Sequence, residues 1–348
     1  MNSVERKDRD SNIELLRIVL MSMIVLTHLI AHGVYNCSGI FDDGSIATNK
    51  VGYFILSLID YHVACFFFIS GYFGIKVNLN RFVNILLKVF VYGVITYFAA
   101  GLLRYGLEWR NYIGPVALEK TSPFAFAGLW FMKSYFFLML AAPFVNDAVE
   151  RMGRNFFAGL IIIYVIALYF SGIDAHGFET ALLIYLIGRF LKKYPMGTIE
   201  KNALWFFLGA VALMFANVAI HIYLLKDGNI RLSTENSSPL IILAAVSFFF
   251  LFKKVKINNI GAINWLAGGV LGVYMLTDGY LRWSYVRMII GWCADNYLLL
   301  ALSAVLTTIV LAAICRCFDY LLKPIENLLV RWTRKLWDVI VKKMNIKE

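Results

Sequence analysis

Charge is what this chain has least of: Asp, Glu, Lys and Arg make up 16% of its 348 residues, against about a quarter in soluble domains. A water-soluble globular fold is excluded on that ground. Proline is sparse, with 6, and the 5 cysteines at positions 37, 65, 293, 315 and 317 form neither a disulfide framework nor a zinc-ligand spacing. A bridge between Cys37 and Cys293 is geometrically open but has no support in the pattern. The apolar and polar alternation of a membrane barrel is missing, which excludes strands through lipid. No internal repeat, serine elbow or metal-ligand cluster occurs, and no matched pair of broken helices marks an inverted-repeat transporter. Long polar connections are missing too. The longest, 104–125 and 226–238, are too short to hold a catalytic domain, so any chemistry falls to residues within or beside the membrane.

What is present is apolar sequence, 60% of the chain. Ten runs are candidate membrane spans, near residues 14–32, 51–73, 82–103, 126–146, 156–171, 179–191, 203–225, 239–252, 262–283 and 297–317. The fifth, sixth and eighth are short, which tilting of neighbours or burial within the bundle would accommodate. The expected fold is an all-α integral membrane bundle of about ten helices, in a multi-pass protein of the cell (cytoplasmic or inner) membrane. The first span is longer than a signal-peptide core and lacks a small-residue cleavage site, so it is expected to be retained.

Basic residues set the orientation. Most of the 33 Lys and Arg residues fall in alternate connections, including Arg6, Lys7 and Arg9, Arg189, Lys192 and Lys193, Lys253, Lys254 and Lys256, and the C-terminal tail. The positive-inside rule then puts both termini in the cytoplasm. Because these charges are spread over several loops, the net charge of +11 suits anionic headgroups and not nucleic acid. The chain divides into a membrane domain, 1–317, and a basic tail, 318–348. In that tail Leu321, Leu322, Leu328, Leu329, Leu336 and Ile340 alternate with basic residues and with Trp332 and Trp337, the pattern of an amphipathic helix on the inner surface.

Ionisable side chains inside spans are costly, so each needs a partner, water or a function. The first span carries Glu14, Arg17, His28 and His32; Asp60 and His62 lie in the second, Lys88 in the third, Lys133 in the fourth, His221 in the seventh and Asp278 in the ninth. Arg17 and His28, eleven positions apart, return to within about 20° of each other with a rise of about 16.5 Å. Arg17 reads as the membrane edge and His28 as its interior. A neutral imidazole there can serve as a general base, or bond a neighbouring helix. Glu14 and Arg17, three apart, suit a helical ion pair. Arg81 and Lys88, seven apart, offer a second basic row that either clamps phosphates or snorkels to the interface. Ser70-Gly71 lets helices approach closely, and Trp130 with Tyr135 forms an aromatic belt or a sugar-stacking platform.

These pieces resemble the membrane acyltransferase-3 family. The resemblance rests on Asn12-Ile13-Glu14-Leu15-Leu16-Arg17 leading to His28, on Phe67-Phe68-Ile69-Ser70-Gly71-Tyr72, on Leu129-Trp130-Phe131 with Tyr135 and Pro143-Phe144, and on Leu271-Gly272-Val273-Tyr274-Met275-Leu276-Thr277-Asp278. Many members carry a histidine where Thr277 stands here. The resemblance implies an O-acyltransferase that takes an acyl group, most often acetyl, from cytoplasmic acyl-CoA to a hydroxyl of a cell-surface or exported glycan. Acyl-CoA is then a co-substrate, with no permanently bound cofactor and no metal. His28 and Arg17 are the expected catalytic pair; Arg17, Arg81, Lys88 and Ser70 the donor-binding residues; Glu14, Trp130, Tyr135 and Asp278 the acceptor-binding residues. Carbohydrate and membrane lipids complete the partners. A flippase or transporter for a lipid-linked sugar is the alternative that would use the same buried charges.

Overall fold

The computed structural model describes residues 10–34, 50–105, 122, 126–171, 176–226, 230–293 and 296–344, and among these every regular element is helical. That outcome follows from apolar surroundings, where a backbone group left without a partner costs several kcal/mol and the helix satisfies each one within its own segment. Cys37 lies outside the described residues, as do parts of both long connections.

In chain order the helices are α1 (Ser11–His28, prolonged by a π-helical turn, Leu29–Val34), α2 (Lys50–Ile59), α3 (His62–Phe73), α4 (Leu79–Tyr105), α5 (Trp130–Arg151) and α6 (Arg154–Ser171). There follow α7 (Phe178–Lys193), α8 (Gly197–Lys201), α9 (Ala203–Ala219, with a π-turn Ile220–Leu225) and α10 (Arg231–Thr234). The last are α11 (Pro239–Lys254), α12 (Gly261–Ala267), α13 (Val270–Asp278), α14 (Arg282–Cys293) and α15 (Tyr297–Met344).

Seven stretches are long and apolar enough to cross a membrane: Ser11–Val34, Lys50–Phe73, Leu79–Arg104, Arg154–Ser171, Ala203–Leu225, Leu232–Lys254 and Tyr297–Val339. The other three expected spans are present as helix of a different kind. The segment 126–146 holds a 3-10 turn, Phe126–Gly128, and then most of α5, which ends in polar sequence; 179–191 lies in α7, of 16 residues; and 262–283 is broken into α12, α13 and the start of α14. The second stretch is interrupted as well, by a turn at Asp60-Tyr61 between α2 and α3.

α1 is the hub. It packs on α3, α11, α12, α13 and α15, and Leu16, Leu20, Val25, Leu29 and Ile30 are fully buried. A helix touched on so many sides must be apolar nearly all round, and this one is. The periphery faces outward with Ile163, Phe170, Trp205 and Leu224, a surface that water would reject and lipid accepts. Hydrophobic burial drives little association in lipid, so close packing of small residues carries more of it. Gly71 on α3 and Gly188 on α7 show this: a Cβ on Gly71 would sit 2.2 Å from the Tyr185 carbonyl oxygen, and one on Gly188 would sit 2.6 Å from the Tyr72 nitrogen.

α15 has 48 residues, about 72 Å at helical rise, more than twice a hydrocarbon core. It runs unbroken across the expected boundary at 317. The tail is helical as far as Met344, and it meets α4: Lys88 Nζ lies 2.6 Å from Asp319 Oδ2, and Arg334 Nη2 donates to Asn80 Oδ1 at 2.9 Å.

Candidate functional site

α1 changes winding immediately after His28, where the π-helical turn begins. Such turns rotate side chains out of regular α-helical register and recur at functional sites. Two broken helices meet α1 at this level. One is the α2–α3 break, bearing Asp60 and His62; the other is the end of α13, where Asp278 is followed by Gly279 and then α14.

His28 Nε2 stands 3.6 Å from Asp278 Oδ1, and Arg282 Nη1 donates to the same oxygen at 2.8 Å. The side chains of His28 and Asp278 are 13% and 4% exposed, so this is a carboxylate sealed between an imidazole and a guanidinium. His28 Nδ1 is buried with no hydrogen-bond partner. The pairing orients the ring and stabilises it when it gains a proton, while the other nitrogen stays free to take one. His32 follows one turn on, its ring 5.7 Å from that of His28, and Trp283 lies 6.0 Å from His32. These rings form a line from His28 toward the end of the bundle opposite Arg17, and Trp283 is exposed there.

The second cluster locks the neighbouring residue. Thr27 Oγ1 lies 2.9 Å from His62 Nε2 and donates to Asp60 Oδ1 at 3.4 Å, with His62 Nε2 and Asp60 Oδ1 3.8 Å apart. Its role is readable from position: it ties the α2–α3 break to the residue before His28 and fixes the rotation of α1.

The other expected site residues fall in different places. Glu14 is buried and paired with Arg17, 3.1 Å from Nη1 to Oε1, while Arg17 is 38% exposed. The ion pair read from their spacing is therefore present. Lys88, expected among the donor-binding residues, is engaged by Asp319 across to α15. Arg81 is exposed and donates to the Lys76 carbonyl at 3.1 Å, and the Ser70 hydroxyl returns to the Phe66 carbonyl of its own helix at 3.0 Å. Lys88 thus has a carboxylate partner on α15 and Arg81 a carbonyl partner in its own turn. Thr277 is buried and bonds the Val273 carbonyl at 2.9 Å.

On α5, Trp130 packs edge-on to His176 at 4.6 Å and Tyr135 stacks on Phe131. Phe131 in turn contacts Tyr274, one turn before Asp278. The aromatic run therefore reaches the helix that carries Asp278 through Phe131. Arg282, Trp283 and Thr27 are site residues that the sequence reading missed. The four-residue spacing of Asp278 and Arg282 around Gly279 was the available signal.

A second feature lies at the start of α1. Asn12 Nδ2 donates to the carbonyls of Phe252, Lys253 and Val255 at 3.2, 3.4 and 3.3 Å, closing the end of α11. Beside it is a cavity of about 520 Å³ lined by Ile13, Tyr72, Lys192, Lys253, Lys256 and Asn258 among others. Neither Arg17 nor His28 lines any of the three described cavities. Among the described residues no group of His, Cys, Asp and Glu has the arrangement of a metal site.

A family model described as an acyltransferase domain matches residues 10–317. No curated protein and no solved structure matches the chain.

Proposed function

The chain belongs to the acyltransferase-3 family, and on that premise we propose that it is an O-acyltransferase moving an acyl group, most often acetyl, from cytoplasmic acyl-CoA to a hydroxyl of a cell-surface or exported glycan. In the same reading the protein sits in the cell membrane with both termini in the cytoplasm, on the side where Lys and Arg gather. The observation that carries the chemistry is the His28–Asp278 contact, a buried imidazole facing a carboxylate with its second nitrogen unpartnered.

In this reading the acceptor hydroxyl attacks the thioester carbonyl and its proton passes to His28. Asp278 stabilises the imidazolium that results. When the tetrahedral intermediate collapses, the C–S bond breaks, the thiolate of coenzyme A departs and the proton on His28 goes to it, so the base is restored. Atoms balance without a metal or a resident cofactor. Arg282 holds Asp278 in place, and Arg17 and Glu14 lie about three and four helical turns from His28 on the donor side. Ser70, Arg81 and Lys88 act here as structural residues, bonded as described. Trp283 and His32 offer aromatic faces to a sugar at the far end, in the part expected of Trp130 and Tyr135.

The test is transfer of labelled acetyl from acetyl-CoA into glycan by the purified protein in nanodiscs. Label in the glycan supports the reading. Coenzyme A that neither binds nor turns over, with lipid-linked sugar moved across a vesicle membrane instead, overturns it in favour of transport.

A further inference from the structure

The cavity at the start of α1 is more than a basic surface. The ring of Tyr72, itself buried, has Lys192 Nζ 5.0 Å and Lys253 Nζ 5.1 Å from its centroid, and Lys253 Nζ also donates to the Tyr72 hydroxyl at 2.7 Å. Lys256 adds a third ammonium to the lining, against the one carboxylate of Asp10. Glu200 reaches Lys253 at 3.4 Å but leaves Lys192 and Lys256 unopposed by it. Three exposed lysines line one open concavity of about 520 Å³, a volume of ligand size, and Tyr72 gathers two of them where an interfacial snorkelling cluster would spread its ammonium groups apart. Tyr72 is the organising element: its face and its hydroxyl hold Lys192 and Lys253 together despite their mutual repulsion.

Position narrows the ligand. Ile13 lines this cavity, and Arg17 lies one turn further along α1, about 40° round the helix, with His28 about 20° beyond that. The cavity and the imidazole therefore share one side of α1, separated by about 22 Å of rise. A ligand anchored here by phosphates and carrying a long flexible arm would pass Arg17 and bring its far end to His28.

We infer that this cavity binds the phosphorylated nucleotide head of the acyl-CoA donor, with Lys192, Lys253 and Lys256 on its phosphates and Tyr72 holding two of those lysines in place; the assignment rests on the acyl-CoA reading above. Ammonium–phosphate contacts supply the affinity, and the ribose 3′-phosphate of coenzyme A is the group that separates this ligand from its dephospho form. An anionic lipid headgroup shares the chemistry but lacks the nucleotide.

The experiment is calorimetric binding of coenzyme A, without acceptor, to the full-length protein in phosphatidylcholine nanodiscs. Dephospho-coenzyme A and the variants Lys253→Ala, Lys192→Ala and Lys253→Arg are compared, and folding is checked by size-exclusion profile. The expected result is about tenfold weaker binding for each alanine variant, weaker binding of dephospho-coenzyme A to the wild type, and near-wild-type affinity in Lys253→Arg. Coenzyme A bound equally by wild type and alanine variants overturns the pocket while leaving the donor reading intact. Lysine variants that lose anionic phosphatidylglycerol yet keep coenzyme A affinity overturn it as well, assigning the cavity to lipid. Coenzyme A that binds through these lysines without any acyl transfer keeps the pocket and removes the proposed reaction.

Discussion

His28 and Asp278 come from opposite ends of the chain, yet Nε2 of one lies 3.6 Å from Oδ1 of the other inside the helical bundle. The contact depends on α13 stopping at Asp278, so that the carboxylate sits at a helix end beside α1. Arg282, one turn later, holds the same oxygen at 2.8 Å. Orientation of the ring and stabilisation of its protonated form both pass through this carboxylate. Asp278→Asn keeps the shape and removes the charge. It is expected to lower kcat by roughly 10- to 100-fold, the range for a partner that orients and polarises an imidazole. The Michaelis constant for acyl-CoA should hold steady. A parallel rise in that constant would show that Asp278 serves donor binding.

Arg17 pairs with Glu14 at 3.1 Å. If its guanidinium also steadies the passing arm or phosphates of the donor, Arg17→Ala raises the acyl-CoA concentration needed for half-maximal rate by about tenfold, the value of one charge-assisted contact. An unchanged dependence in steady-state kinetics assigns Arg17 to the helix pair alone.

Lys88 and Asp319, 2.6 Å apart with side chains 16% and 8% exposed, tie α4 to the long C-terminal helix. Removing Asp319 leaves the half-sealed Lys88 ammonium without its carboxylate, while removing Lys88 leaves Asp319 with Arg316 at 4.0 Å, so Asp319→Ala alone should destabilise more than the double variant Lys88→Ala with Asp319→Ala. Thermal unfolding followed by size-exclusion fluorescence reads this cycle. Additive losses would contradict the pairing.

Gly71 and Gly188 permit the contact between α3 and α7. Gly71→Ala places a methyl group against the Tyr185 carbonyl and should cost about 1 to 3 kcal/mol through overpacking. The melting temperature in nanodiscs should fall accordingly. A wild-type melt would mean that the helices separate without penalty.

Much of the architecture could be read from sequence. The apolar runs gave the all-helical bundle, and the spacing of Glu14 and Arg17 gave their ion pair. His28 stood out because a mid-span imidazole is costly, and it is found in a buried cluster. What escaped was contact between distant segments. Nothing local in Lys88 points to Asp319, 231 positions away, so the pair of Lys88 with α15 could not be read from the sequence. Breaks inside apolar runs also hide: Asp60-Tyr61 interrupts a stretch that hydropathy reads as continuous, and there the turn brings Asp60 and His62 to Thr27. The basic cavity drew on residues 72, 192, 253 and 256, from three separate segments; all three of its lysines entered the sequence reading only as inner-loop charge.

The central claim is that His28 is the base of an acyl transfer. Its most direct test is the initial rate of labelled acetyl transfer to glycan by wild type and His28→Ala, purified in nanodiscs at matched folded protein and saturating acetyl-CoA. The account predicts a loss of roughly 100-fold or more, with expression, insertion and coenzyme A binding retained. Equal rates would contradict it.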